Sequence, residues 1–179
     1  MVAKKKGAGG NLTRSQVVTV RLDPKLRYLG ELAALRQRRT LSSYIEWAVQ
    51  ESLKRVHLSD DNDYENTVHN EADRLWDVDE PDRFMKLAFH YPELLTYAEQ
   101  IKWKLICENG YLWRGKMKDG IWTWEVEEES FILERLRKHW ERFCAVAEGD
   151  EDAMMLPTWK GEIKEDPILK PIQSEDISF

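Results

Sequence analysis

Residues 16–22, QVVTVRL, alternate along the chain: Val18, Val20 and Leu22 fall on one face, Val17, Thr19 and Arg21 on the other. That period of two predicts a half-buried strand. Asp23-Pro24 follows and predicts a helix start, because an Asp carboxylate accepts from the first free N–H groups and a proline there lacks a donor that would be orphaned anyway. The pattern carries this first helix to about Arg38, with Leu26, Leu29, Leu32 and Ala33 on one stripe and Gly30 beside them, where a second helix can approach closely. Thr40 caps that second helix, 41–56, whose stripe is Leu41, Tyr44, Ile45, Ala48, Val49, Ser52 and Val56.

Beyond it the pattern changes. SDDNDYEN, 59–66, is a polar linker that lacks the glycine and terminal glutamate of a calcium loop. Helical spacing returns over 65–78 and 81–91, and Pro92 opens a further helix that ends near Asn109-Gly110. Residues 111–126 predict a hairpin turning at Lys118-Asp119-Gly120, then a long helix, 128–147, carries Phe131, Leu133, Leu136, Trp140, Phe143 and Cys144. The expected class is α+β and mostly helical. Its divisions are a flexible basic arm at 1–14, a strand-helix-helix module at 15–57, a linker at 58–64, a Trp-rich acidic helical domain at 65–148, and an extended acidic tail at 149–179 with Pro157, Pro167 and Pro171 spaced through it.

Charge sharpens this division. The formal net charge of −6 hides twelve Lys and Arg against four acids through His57, and fifteen against twenty-nine beyond it. A basic module joined to an acidic one points to a polyanionic partner for the first part and a different one for the second. Seven of the eight tryptophans follow residue 70, where the acidic surroundings oppose a stacking platform for single-stranded nucleic acid and favour core packing or a protein interface. Trp47, off the second helix's main stripe, is a docking position for the second domain.

Hydrophobic residues make up 42% of the 179, enough to bury a core. No apolar run reaches the roughly 18–20 residues of a membrane helix, and MVAKKK leads into GAGGN rather than an apolar leader, so no membrane association and a cytoplasmic location are expected. Cys107 and Cys144 have no Cys-x-x-Cys or nearby His pair and read as buried reduced thiols, with no metal site. His57, His69, His90 and His139 are scattered, and no nucleophile elbow or glycine-rich phosphate loop occurs, so neither enzymatic activity nor a cofactor is expected. The acid clusters 127–129 and 148–152 read as acidic surface.

A lone strand with one apolar face and two helices of about fifteen residues cannot close a core. A second copy can complete it, by antiparallel pairing of the two strands about a two-fold axis over a shared core of Val18, Val20, Leu22, Leu26, Leu29, Ile45, Ala48 and Val49. The free face of the ribbon then carries Val17, Thr19 and Arg21, and a two-stranded ribbon fits the major groove, where Arg21 can pair with guanine, Thr19 with several base edges and Val17 with a thymine methyl. Lys4, Lys5, Lys6 and Arg14 of the arm add phosphate contacts, as do Thr40, Leu41, Ser42 and Ser43 at the start of the second helix. Arg36, Arg38 and Arg39 either reach phosphate or are merely solvated.

TVRLDPKLRYL and RTLSSYIEWAVQESL, in that order and at that spacing, make residues 16–56 resemble a ribbon-helix-helix module of the CopG/MetJ/Arc type. The resemblance covers about a quarter of the chain. It implies an obligate dimer, base reading by Val17, Thr19 and Arg21, and phosphate binding by the backbone that opens the second helix. One departure stands out: many members have glycine between the helices, where this chain has Gln37-Arg38-Arg39, and because a left-handed arginine there costs about 1 kcal/mol, a slightly different turn is expected. The function expected is a dimeric, sequence-specific binder of double-stranded DNA, a bacterial or mobile-element transcriptional regulator or repressor, with higher-order assembly on DNA open to it. The alternatives are an antitoxin-type module whose acidic C-terminal region neutralises a protein partner, and an accessory factor for plasmid partition or DNA transfer.

Overall fold

The computed structural model describes residues 17–59, 66–119 and 121–158. Its contacts divide the chain into two compact units, Met1–Arg74 and Leu75–Phe179. The chain is mostly helical, with one two-stranded antiparallel sheet among the described residues.

In the first unit, residues 17–23 form neither helix nor ladder. The strand expected over 16–22 therefore has no partner among the described residues of its own chain. Helix α1, Pro24–Arg36, starts where predicted, with Asp23 Oδ1 accepting from the N–H groups of Lys25 and Leu26 at 2.9 and 3.0 Å. Helix α2, Leu41–Leu53, is capped by Thr40, whose Oγ1 accepts from Ser43 N at 3.2 Å. The two helices approach closely at Gly30, where a Cβ would stand 3.3 Å from Leu41 Cδ1. Helix α2 stops short of the expected Val56 because the next residues are claimed elsewhere. His57 bridges Thr67 antiparallel, Val68 N donates to Val56 O, and Leu58 N donates to Asn66 O. The same bridge removes residues 66–71 from the helix expected over 65–78, which shrinks to α3, Ala72–Leu75. The first unit thus keeps the chain past the polar stretch at 58–64.

The second unit contains α4, Glu80–His90, and α5, Tyr97–Glu108. A single helix from Pro92 was expected; instead a 3-10 turn, Pro92–Leu94, buries Leu95, and Thr96 opens α5 with a capping box in which Thr96 and Glu99 satisfy each other's backbone N–H groups. The hairpin forms as predicted, β1, Gly115–Lys118, pairing with β2, Ile121–Trp124, in the register Gly115↔Trp124 to Lys118↔Ile121. Helix α6 spans Leu133–Glu148 rather than beginning at 128, because Phe131 bridges Trp113 and Ile132 N donates to Leu112 O at 2.8 Å. Phe84, Met85, Ala88, Ile106, Leu112, Trp113, Leu136 and Phe143 form the centre of a core to which α4, α5 and α6 all contribute.

The tryptophans join this core through their polar edges as well as their faces. The last carbonyls of a helix lack intrahelical partners. At the end of α5, Trp113 Nε1 donates to Ile106 O at 2.9 Å and Trp124 Nε1 to Cys107 O at 3.0 Å, while Trp122 Nε1 reaches Gly110 O at 3.1 Å. Three indoles from the hairpin region thus fasten the hairpin to the end of α5. Trp140 is buried against Phe84, with Lys102 Nζ 4.4 Å from its ring centroid.

Candidate nucleic-acid interface

Of the residues expected to read bases, Val17, Thr19 and Arg21 are all exposed, Val17 at 99%. Val18 and Val20, expected to be buried, are exposed too, and Leu22 is half-buried. Within one chain the alternation therefore does not yield one dry and one wet face. The rest of the expected dimer core behaves alike: Leu26, Leu29 and Val49 are about half exposed, and Ile45 and Ala48 are half-buried. Among the described residues of this unit only Ala34 and Thr67 are fully buried.

The start of α2 is built for its position. Ser42 and Ser43 are exposed, Leu41 is half-buried under Gly30, and the positive end of the helix dipole is open beside them. One residue before the cap, the Arg39 guanidinium lies 5.5 Å from the Trp47 ring centroid, and Trp47 lies 5.5 Å from Tyr44. Sequence reading missed this cluster; the signal available was an arginine before the cap with aromatics one and two turns into the helix. Trp47 has its ring against Arg39 and Tyr44 of its own unit. Lys4, Lys5, Lys6 and Arg14 lie outside the described residues.

The turn between the helices is left-handed despite that cost, where a slightly different turn was expected. Arg38 has φ +56°, its N–H donates to Leu35 O at 3.0 Å, and Arg39 N donates to Ala34 O at 2.9 Å. Those two bonds are the Schellman pattern that terminates helices and ordinarily takes glycine at the left-handed position.

The second unit holds different chemistry. Asp77, Asp79 and Asp82 bring carboxylate oxygens within 4.8 Å of one another. Two of the three are matched by cations: Asp77 Oδ2 lies 2.8 Å from Lys86 Nζ, and buried Asp82 takes a bidentate pair from Arg137, with Nε at 2.9 Å from Oδ2 and Nη2 on Oδ1. The Lys86 hydrogen bond, helped by the Asp79 backbone N–H, holds the Asp77 carboxyl below its ordinary range, and the bond to Asp82 raises the Arg137 pKa. Burial pushes the Cys107 thiol up to about 11 and raises Cys144 as well, the opposite of an activated nucleophile. A cleft of about 400 Å³ is lined by Leu105, Tyr111, Trp122, Trp124 and Leu156 among others. No helix among the described residues is long and apolar enough to cross a membrane.

No family model, curated protein or solved structure matches this chain.

Proposed function

We propose that the chain is a dimeric, sequence-specific binder of double-stranded DNA that presents a two-stranded ribbon, one strand from each copy, to the major groove. The observation that carries this reading is the unfinished core of the first unit: two correctly capped, closely packed helices leave Val18, Val20, Leu26, Leu29 and Val49 exposed. Apolar side chains so arranged need a second surface of the same kind, and a two-fold copy supplies one. The left-handed turn at Arg38 and the open, hydroxyl-rich start of α2 support the same arrangement, in which exposed Ser42 and Ser43 take a phosphate.

Thr19 and Arg21 of each strand read bases, and the arm lysines supply affinity without sequence preference. The test is selection of duplexes from a random library by the full-length protein, followed by titration of the selected sequence. Arg21→Ala should lower preference for that sequence over scrambled DNA by about 1–3 kcal/mol while leaving the circular dichroism spectrum intact. Unchanged preference would remove Arg21 from the groove.

The aromatic cleft beside Trp122 and Trp124 favours a second role for the acidic unit, capture of a protein partner, as an antitoxin or a partition or transfer accessory factor requires.

A further inference from the structure

The described part of the chain ends in the wall of the aromatic cleft. That cleft, of about 400 Å³, is lined by Leu105, Tyr111, Trp122 and Trp124 together with 156–158, where the described residues end. Asn109 Nδ2 donates to Pro157 O at 3.0 Å, which fastens this last stretch to the end of α5. Leu156 has extended backbone, Pro157 is buried and Thr158 is exposed. The indoles offer the cleft ring surface and no donor, because Trp122 Nε1 is committed to Gly110 O at 3.1 Å and Trp124 Nε1 to Cys107 O at 3.0 Å. Both rings are only half-buried, so the surface calls for an apolar occupant.

We infer that this cleft is the docking site of residues 159–163 of its own chain, Trp159-Lys160-Gly161-Glu162-Ile163, with Trp159 against the rings of Trp122 and Trp124. The occupant follows from where the chain leaves. Successive Cα atoms are about 3.8 Å apart, so residue 159 begins beside the lining residue Thr158 whatever direction it takes. Side chains alternate along extended backbone, and buried Pro157 followed by exposed Thr158 sets the phase, so positions 159, 161 and 163 continue the inward side. Those positions hold Trp159, Gly161 and Ile163, while Lys160, Glu162 and Lys164 fall to the solvent side. The apolar residues therefore come at the spacing that an apolar cleft beside an extended chain requires, and aromatic rings in offset or edge-on contact gain beyond the area they bury. Attachment at the rim holds the segment at about millimolar effective concentration, so a contact of modest intrinsic strength stays filled. A protein partner of the kind proposed above enters the cleft only by displacing the segment.

The experiment uses isotope-labelled full-length protein and reads the indole N–H resonances of Trp122 and Trp124. The variant Trp159→Ser/Ile163→Ser, altered only in the segment, should shift both resonances. A synthetic peptide of residues 159–166 should return them toward the wild-type positions with half-saturation at about 0.1 mM or less, whereas the wild type should need at least about tenfold more peptide. Adding Ala153→Glu, at an exposed position on the cleft, to that variant should abolish the effect of the peptide. Identical resonances in the wild type and Trp159→Ser/Ile163→Ser overturn the inference, as does an equal response of the two to peptide. No response of the variant at the millimolar concentration that the tether itself supplies overturns it as well. A peptide effect that survives Ala153→Glu places the peptide elsewhere, with the same consequence. Return of the wild-type positions on mixing unlabelled wild-type chain with the labelled variant assigns the cleft to the segment of a second copy and overturns docking within one chain. None of these outcomes depends on DNA binding, which is tested separately above.

Discussion

Leu29 in α1 and Leu136 in α6 are leucines on the apolar stripes of helices of similar length, yet Leu29 is half exposed and Leu136 has no exposed surface. The same contrast runs through the two units. In the second, three helices and a hairpin close over Trp113, Leu112 and Phe143; in the first, two helices leave their apolar residues uncovered. Periodicity in a sequence states which face of an element is apolar. It does not state whether the covering surface belongs to the same chain, and that difference separates a unit whose core closes on itself from one whose apolar residues stay uncovered.

The largest expected effect comes from breaking the closed core. Phe143 is fully buried among α4, α5 and α6 residues, so Phe143→Ala should cost about 3–5 kcal/mol through lost burial and the cavity left behind. Tryptophan fluorescence follows this loss selectively, because the first unit contains one tryptophan, Trp47. If the first unit is dimeric as proposed above, its transition should instead move with protein concentration. A concentration-independent transition of the first unit would remove the need for a second copy and erase the comparison.

A smaller effect probes the buried charge of the closed unit. Arg137→Ala leaves Asp82 buried beside Asp77 and Asp79 without its bidentate partner. Full burial of both members would make this cost about 3–5 kcal/mol, but the Arg137 side chain is 44% exposed and solvent screens the pair, so about 2 kcal/mol is expected. Removing both partners together, Asp82→Ala/Arg137→Ala, should cost no more than Arg137→Ala alone, which urea denaturation of the two variants checks.

These elements differ in how legible they were in the sequence. Asp23-Pro24 and Thr40 mark helix starts by local chemistry, and both helices begin there. The hairpin announced itself through Lys118-Asp119-Gly120 for the same reason. The errors arose where a distant residue claimed a backbone group: Thr67 pairing with His57 cut the helix expected over 65–78, and Trp113 pairing with Phe131 delayed α6. The roles of the indoles of Trp113, Trp122 and Trp124 at the end of α5 were hidden because composition does not say which carbonyls an N–H will meet. At the candidate interface, alternation singled out Thr19 and Arg21, yet residues 17–21 are exposed on both faces and form no ladder within the chain, and the Arg39–Trp47 stack depends on side-chain directions that periodicity does not contain.

The finest version of the comparison lies in two helix ends of identical design. Helix α1 ends with Arg38 at φ +56° and a bond from Arg39 N to Ala34 O; helix α6 ends with Gly149 at φ +82° and a bond from Asp150 N to Ala145 O. A Cβ at Gly149 would meet nothing within 4 Å, so Gly149→Ala should cost about 1 kcal/mol from backbone conformation alone. The reverse change, Arg38→Gly, relieves the same strain but adds freedom to the unfolded chain, leaving a net gain of about 0.5 kcal/mol in the first unit. Chemical denaturation at fixed concentration measures both. The stabilised variant also tests why a strained arginine occupies the turn. A salt dependence of DNA binding reduced by about one unit per protomer in Arg38→Gly would assign its charge to a phosphate; an unchanged dependence would leave the strain without a role in binding.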